Sequence, residues 1–137
     1  MRRTPAFPLV VVDTDVLSYL FRQDTRAERY ERALRDCRVV LTAMTRAELY
    51  HWAESRDWGD KKLEDLRTFM DTYQTVYPND AVCQMWGKVV DEARRRGRPI
   101  GGGDAWQAAT ALFLDVPLIT HNADDFAGVP RLVVISD

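Results

Sequence analysis

Two aspartates, Asp13 and Asp15, directly follow the apolar run Leu9–Val12 in the stretch LVVVDTDVLSYLF. This arrangement is compatible with two kinds of phosphate chemistry. One aspartate could act as a nucleophile and the other as an acid or base, as in phosphomonoester hydrolysis. Alternatively, one of them could bind a metal that activates water for phosphodiester cleavage. The positions of the other acidic residues must decide between the two.

Further acidic residues follow other short apolar runs. Glu48 comes shortly after residues 39–42, and Asp125 follows residues 118–120 by one short turn. The carboxyl ends of parallel strands lie at one edge of a sheet, where the sites of such sheets are found. The side chains of Asp13, Glu48 and Asp125 are therefore expected to converge.

Asp104 is a fourth candidate and has two interpretations. Asp is a favoured N-cap residue, and the position alone favours a plain cap at the start of the next helix. The three preceding residues, Gly101, Gly102 and Gly103, shift the balance toward a functional site. A flexible glycine loop lets the backbone approach a ligand or phosphate closely.

A cluster of carboxylates without an opposite charge would repel itself, unless a divalent cation lies among them. Oxygen ligands suit Mg²⁺ or Mn²⁺, and the chain has no cysteine–histidine set spaced for zinc. Such a metal lowers the pKa of a bound water, orients it for attack and neutralises phosphate charge. The pattern is compatible with one metal or with two.

The elements that must position these acids follow from the apolar pattern. Short β-branched runs predict strands at residues 9–12, 39–42, 75–77, 117–120 and 132–135. Helices are predicted over residues 14–22, 26–36, 44–56 and 60–72, with two more around residues 82–93 and 105–112. Strands that alternate with helices indicate an α/β domain with a central, mainly parallel sheet. Residues 1–137 contain no repeat or linker and are expected to form a single domain.

Composition restricts the class of protein. The 137 residues are 46% hydrophobic and 29% charged, which is enough apolar material for a packed core. A net charge of −2 gives no support to nucleic-acid binding through bulk charge but leaves room for a local basic patch. Cys37 and Cys83 are expected to be reduced, mostly buried thiols of a cytoplasmic protein. Pro5, Pro8 and Asp13 interrupt the N-terminal apolar stretch, which argues against a signal peptide or membrane span.

Four segments occur together in an order and spacing typical of the PIN-domain family. They are VVDTDVLSYL, LTAMTRAELY, RRRGRPIGGGDAWQAATAL and LITHNADDFAGVP, with DFAGVPRLVVI closing the chain. No single segment is specific, but together they resemble the VapC-type ribonuclease toxins of bacterial toxin–antitoxin modules over about residues 9–135. The resemblance implies a PIN-like three-layer α/β/α sandwich.

The same resemblance implies a Mg²⁺-dependent endoribonuclease that cleaves RNA phosphodiester bonds with a metal-activated water, leaving a 5′-phosphate and a 3′-hydroxyl. The family's catalytic and metal-binding acids carry over to Asp13, Glu48, Asp104 and Asp125. Its supporting polar positions carry over to Thr120 and Asn122. The resemblance also implies a homodimer and a small antitoxin protein whose tail reaches the acidic pocket.

The chain departs from the family pattern at three places. Asp15 stands where Asn is common, and we interpret it as a residue in the first turn of a helix whose charge suits the helix dipole. Trp106 is bulkier than the expected aliphatic residue. Asp124 and Asp125 could each be the fourth acid. Asp125 is favoured because it directly precedes Phe126, which leaves Asp124 as a solvated residue.

Basic and aromatic residues could contact RNA or a partner. The basic candidates are Arg46 and the run Arg94, Arg95, Arg96 and Arg98. For that run, phosphate contact and a solvated helix end are equally good interpretations. The aromatic candidates are Tyr50, Trp52, Trp58, Phe69 and Tyr73. Such residues form a core or a protein interface more often than they stack on bases.

Three alternatives remain at this level. A haloacid-dehalogenase-like phosphatase would use Asp13 as its nucleophile and Asp15 as its acid or base. That fit is poorer, because Leu17 stands where the motif has Thr or Val, and Glu48 would have no role. The others are a PIN-type RNA-processing nuclease without an antitoxin and a PIN-like scaffold that binds without cutting.

Overall fold

A single parallel sheet organises the computed structural model, which describes residues 8–136. Within those residues the strands are Leu9–Val12 (β1), Arg38–Thr42 (β2), Gln74–Val76 (β3), Leu118–Ile119 (β4) and Val134–Ile135 (β5). Their order across the sheet is β3-β2-β1-β4-β5, and every neighbouring pair is parallel. In the central strand, Val11 lies opposite Val40 on one side and Leu118 on the other.

Six α-helices connect the strands within the described residues. They are Thr14–Arg22 (α1), Ala27–Leu34 (α2), Ala43–Ser55 (α3), Asp60–Asp71 (α4), Asp80–Arg95 (α5) and Gly102–Leu114 (α6). A short 3₁₀ helix, Ala123–Phe126, follows β4. It was not predicted, because ADDF lacks the apolar spacing from which the longer helices were inferred.

Helices cover both faces of the sheet. Val10 and Val12 of β1 belong to a buried cluster that includes side chains of α1 to α4. Val11 points to the opposite face and belongs to a second cluster with α5 and α6. Successive strand residues point to opposite faces, so a strand that is apolar throughout needs cover on both sides. The predicted α/β class and the three-layer α/β/α arrangement are confirmed.

The predicted elements exist, and their ends match or differ by at most three residues. β4 and β5 each contain two residues, whereas runs of four were predicted. The hydrogen bonds nevertheless extend further than these strands, since Thr120 N donates to Ile135 O at 3.1 Å. Asp13 N likewise donates to Ile119 O at 2.9 Å. These bonds hold Asp13 and Thr120 side by side at the carboxyl edge of the sheet.

A close backbone contact fixes the loop after the 3₁₀ helix. A Cβ atom on Gly128 would overlap the carbonyl oxygen of Arg98 and would lie 2.8 Å from Cβ of Ala93. Only glycine fits there without displacing α5 or the segment after it. The loop that follows the 3₁₀ helix is therefore held against the end of α5.

Two findings concern expectations drawn from composition. No helix within residues 8–136 combines the length and apolar character needed to cross a membrane. Cys37 is partly buried and Cys83 is exposed, and both are free thiols. The expectation of mostly buried thiols is therefore wrong for Cys83. Pro5, used in the argument about the N-terminus, lies outside the described residues.

Candidate active site

Asp13 is the one buried acidic side chain among residues 8–136, with 7% of its surface exposed. Its carboxylate accepts hydrogen bonds from Thr14 N at 2.8 Å, Thr120 Oγ1 at 2.8 Å and Gln107 Nε2 at 3.3 Å. Burial, followed by repulsion from Asp15, raises the pKa of Asp13 to about 7. The bonds from Thr120 and Thr14 oppose that rise. Burial and the neighbouring charge therefore make the ionised form of Asp13 energetically unfavourable in the absence of a cation.

Glu48 on α3 and Asp104 on α6 extend this cluster of like charges. Burial, then repulsion from Asp125 and Asp15, raises the pKa of Asp104. The Glu48 side chain is exposed by area, yet neighbouring atoms desolvate its carboxylate enough to raise its pKa. Repulsion from Asp104 adds to that rise, and a hydrogen bond from Thr14 Oγ1 at 3.2 Å opposes it. The fold thus brings together acids that are far apart in sequence.

Asp125, rather than Asp124, acts electrostatically on this cluster. Both residues are exposed in the 3₁₀ helix. Asp125 is the charged neighbour with the largest effect on the pKa of Asp104, whereas Asp124 is not among the charges that raise it. This geometry favours Asp125 as the fourth acid, and its chemical role remains a prediction.

Asp15 has more contacts than its helix position suggested. It lies in the first turn of α1, as predicted. Its Oδ2 accepts hydrogen bonds from Asn122 Nδ2 at 2.8 Å and from His121 N at 3.1 Å. Its charge also raises the pKa of Asp13. Besides suiting the helix dipole and adding charge near the acidic cluster, Asp15 therefore secures the loop after β4.

The His121 ring anchors that loop to aromatic side chains of α1 and α2. The hydroxyl of Tyr30 lies 2.8 Å from its Nδ1, and the ring of Tyr19 meets it edge-on, with centroids 5.4 Å apart. Tyr30 is 1% exposed and belongs to the core. The backbone N–H that reaches Asp15 is thus positioned by core aromatic residues.

Gln107 is a site residue that the sequence patterns did not single out. It is fully buried on α6, three residues after Asp104. Its Oε1 accepts a hydrogen bond from Thr42 Oγ1 at 2.8 Å, and its Nε2 donates to Thr45 Oγ1 at 2.5 Å. Nε2 also lies 3.3 Å from Oδ1 of Asp13. The one available signal was an amide in the largely apolar segment AWQAATALF.

We expect Gln107→Leu to lower the free energy of unfolding by about 1–3 kcal/mol, because it leaves buried hydroxyl and carboxylate groups without their partner. Chemical denaturation measures the effect. Gln84→Leu, at an exposed position of α5, is the matched control and should behave like the unmodified protein. Equal stability of the two variants would contradict a structural role for the amide.

The start of α6 differs from both interpretations of Asp104. Gly101 is the N-cap, and Asp104 is the third residue of the helix. Gly102 and Gly103 are helical, so they do not form the flexible loop that was expected. The N-cap interpretation is also wrong. Among the described residues, Asp104 makes no hydrogen bond that would occupy its carboxylate, which leaves both oxygens available.

Packing against α5 accounts for the large side chain at Trp106. Its ring stacks on Trp86 of α5, with centroids 5.5 Å apart and planes inclined at 28°. Trp86 Nε1 donates to the carbonyl oxygen of Gly102 at 3.2 Å. This pair therefore ties α5 to the first turn of α6, which carries Asp104.

Three of the five arginines proposed to contact RNA form ion pairs within the protein. Arg46 is 17% exposed and forms an ion pair with Asp71 at 3.1 Å, which joins α3 to the end of α4. Arg94 and Arg95 both pair with Asp91, one turn earlier on α5. Arg96 and Arg98 are exposed. None of these contacts involves the acidic cluster, so their role in RNA binding stays a prediction.

The donor set fits a hard divalent cation. Asp13, Glu48 and Asp104 offer carboxylate oxygens, and no basic side chain of the described residues lowers their pKa values. No three His, Cys, Asp or Glu side chains within residues 8–136 are already arranged to hold a metal ion. Metal binding would therefore require these side chains to turn toward one another, and a divalent cation would supply the missing positive charge.

The model of the family described as PIN domain matches residues 10–132. The chain belongs to the PIN-domain family. Ribonuclease VapC1 of Haemophilus influenzae is 31% identical to it over 126 residues, which cover 90% of this chain and 94% of that protein. The match confirms the resemblance inferred from the four sequence segments and leaves the phosphatase alternative without support.

Solved structures of similar proteins agree with this PIN-domain assignment. VapBC-1 from nontypeable Haemophilus influenzae contains a chain that is 30% identical, with a TM-score of 0.74 over 93% of this chain and 97% of that one. VapBC-5 from Mycobacterium tuberculosis, a member of the VapBC family of toxin–antitoxin systems, gives 26% identity and a TM-score of 0.72. That match covers 97% of this PIN-domain chain and 100% of the other.

Proposed function

We propose that this PIN-domain protein is a Mg²⁺-dependent endoribonuclease and the toxin of a toxin–antitoxin pair. The observation that supports it best is the buried Asp13, joined electrostatically to Asp104 and its acidic neighbours without a basic counter-charge. The similarity to ribonuclease VapC1 supports the same reaction class.

In this proposal four acidic residues form the metal site. The residues that would hold Mg²⁺ are Asp13, Glu48, Asp104 and Asp125. A bound Mg²⁺ (or Mn²⁺) would lower the pKa of a water and neutralise phosphate charge. Thr120 and Gln107 orient the two oxygens of Asp13 by donating to Oδ2 and Oδ1 respectively. Asn122 supports the site through Asp15.

Partners and location belong to the same proposal. An antitoxin is proposed because the similar VapBC-5 is a member of a toxin–antitoxin family. A homodimer, a cytoplasmic location and a single nuclease domain over residues 1–137 are also proposed, on the family resemblance and the composition. An RNA-processing nuclease without an antitoxin would use the same chemistry and differs only in its partner.

The direct test is cleavage of tRNA, rRNA and mRNA by the purified protein in Mg²⁺ and in EDTA. We expect cleavage in Mg²⁺ alone, with 5′-phosphate and 3′-hydroxyl ends. Absence of cleavage with both Mg²⁺ and Mn²⁺ would reject the nuclease. Inhibition by the product of an adjacent small reading frame would separate the toxin from an antitoxin-free processing nuclease.

We expect Asp15→Asn to retain RNA cleavage within about tenfold of the unmodified protein. The amide oxygen can still accept a hydrogen bond from the loop after β4. Loss of a negative charge should lower the pKa of Asp13, because repulsion from Asp15 helps to raise it. The acidic limb of the pH–rate profile should therefore move to lower pH.

Asp124→Asn is the matched control, since it removes the same charge at an exposed position that is not among the charges raising the pKa of Asp13. Its pH profile should stay in place. Loss of RNA cleavage in Asp15→Asn, together with hydrolysis of aryl phosphates through a phosphoenzyme, would instead support a phosphatase.

A further inference from the structure

A groove between α1 and α3 begins at the acidic cluster and leads away from it. Its volume is about 250 Å³. The residues of α1 that line it include Asp15, Ser18 and Arg22. On the other side it is lined by Glu48 and Trp52 of α3 and by Arg56, the residue directly after α3. The groove is therefore acidic at one end and basic at the other.

Helix geometry sets the distance between these two ends. The lining residues recur at spacings of three or four, which places them on one face of each helix. Each helix begins where a strand of the parallel sheet ends, α1 after β1 and α3 after β2. A rise of about 1.5 Å per residue places the arginines roughly 10 to 12 Å beyond the acids along the helix axes.

Trp52 brings the two guanidinium groups together. Cζ of Arg22 lies 5.4 Å from the centroid of the indole ring, and Cζ of Arg56 lies 5.3 Å from it. Trp58 packs against the indole of Trp52, with centroids 4.8 Å apart. Cation–π contacts of this kind hold both cations in one part of the groove.

Neither arginine is fully neutralised. Arg56 has no carboxylate within ion-pair distance among the described residues. Arg22 lies 3.6 Å from Oδ2 of Asp24, but Asp24 receives two bonds of 2.8 Å from Arg26. The helix dipole explains why an arginine stands at the end of each helix. The helix dipole does not explain why both arginine side chains lie against the indole ring of Trp52.

We propose that this groove holds the RNA strand next to the bond that is cleaved, with Arg22 and Arg56 each binding a backbone phosphate. The inference rests on the proposed endoribonuclease function and adds the path of its substrate. Guanidinium groups bind phosphate oxygens through paired hydrogen bonds. A polyanion that must reach an acidic, metal-binding cluster needs local positive charge beside it, and the net charge of −2 supplies none in bulk.

Arg22→Ala and Arg56→Ala, alone and combined, test this path. The matched control is Arg32→Ala, which removes an arginine from the last turn of α2, where its side chain is 63% exposed and outside the groove. With a short RNA substrate, each groove variant should raise KM about three- to tenfold and affect kcat much less. Arg56→Lys should restore part of the loss, because it keeps the charge but not the paired geometry.

Salt dependence gives a second measurement that a loss of packing would not reproduce. RNA binding is measured in an Asp104→Asn background, where cleavage is prevented. The slope of log affinity against log salt concentration should fall in magnitude by about 0.7 for each arginine removed. Arg32→Ala should leave the slope unchanged. Thermal unfolding of each variant checks that the fold is retained.

Different results would reject the proposed RNA path and the proposed nuclease function. If the unmodified protein cleaves no RNA with Mg²⁺ or Mn²⁺, the function itself is rejected. If it cleaves RNA and the groove variants behave like Arg32→Ala, the nuclease stands and the substrate path is rejected. Groove variants that escape an antitoxin but keep the original KM would assign the groove to a protein partner, which also rejects the RNA path.

Discussion

Asp13→Asn is expected to abolish metal-dependent RNA cleavage while preserving the shape of the side chain. The variant loses the charge that burial and repulsion already make costly, and with it the principal oxygen ligand of the proposed metal site. Partners that merely support a metal ligand contribute 10- to 100-fold to activity, so loss of a ligand should exceed about a hundredfold. Single-turnover cleavage of a labelled RNA measures the effect.

Asp104→Asn should also abolish metal-dependent RNA cleavage, and its effect is easier to interpret. Its carboxylate makes no hydrogen bond with the described residues that the substitution would break, so a fall in activity would not be explained by a lost hydrogen bond within the fold. Asp124→Asn, with the same change in charge, should remain active. Robust cleavage by purified Asp13→Asn would refute the assignment of the site.

The metal-free protein is expected to lose stability as the pH rises from about 4 to 7. Asp13 has a pKa of about 7 in the folded state, against the ordinary aspartate pKa of 3.8 that applies in an unfolded chain. The folded state therefore binds the proton more tightly, so its stabilising contribution is complete below pH 3.8 and disappears as the pH passes 7. A difference of about three pKa units corresponds to about 4 kcal/mol.

The same linkage predicts how Mg²⁺ acts. Metal binding requires ionised carboxylates, so Mg²⁺ should raise the melting temperature strongly at pH 8 and weakly at pH 5.5. Thermal melts in EDTA and in Mg²⁺ at both pH values measure this. Asp13→Asn should flatten the pH dependence and reduce the response to Mg²⁺.

Asp124→Asn is again the control and should keep both the pH dependence and the response to Mg²⁺. The prediction fails if the stability of the unmodified, metal-free protein relative to Asp13→Asn is constant or rises between about pH 4 and 7. It also fails if Mg²⁺ stabilises both proteins equally.

Local sequence pattern was sufficient for the fold and for the position of most candidate acids. The run Leu9–Val12 is apolar at every residue, which requires cover on both faces of a sheet and so indicates a parallel α/β arrangement. An acid directly after such a strand must lie at its carboxyl edge. Asp13 could be located in this way because the relevant contacts are set by the strand itself.

Patterns were less informative where a side chain has more than one local role. Asp104 suited a helix N-cap, and the glycines before it suited a loop, yet α6 begins at Gly102. Asp15 suited the dipole of α1, and that role is compatible with its bonds to the loop after β4. Propensity gives the preference of a residue for a helix end but does not give the direction of its carboxylate.

The contacts that shape the site join residues far apart in the chain, and only the tertiary structure decided them. Gln107 reaches Thr42 across 65 positions, and Arg22 of α1 lies over the ring of Trp52 of α3, as does Arg56 just after α3. Sequence spacing determines which residues share a face of one element. Which faces meet, and which polar groups are then buried together, depends on how the helices pack on the sheet. The sequence alone therefore determined an acidic edge on a parallel sheet, whereas packing decided how that edge is supported and where a basic groove leaves it.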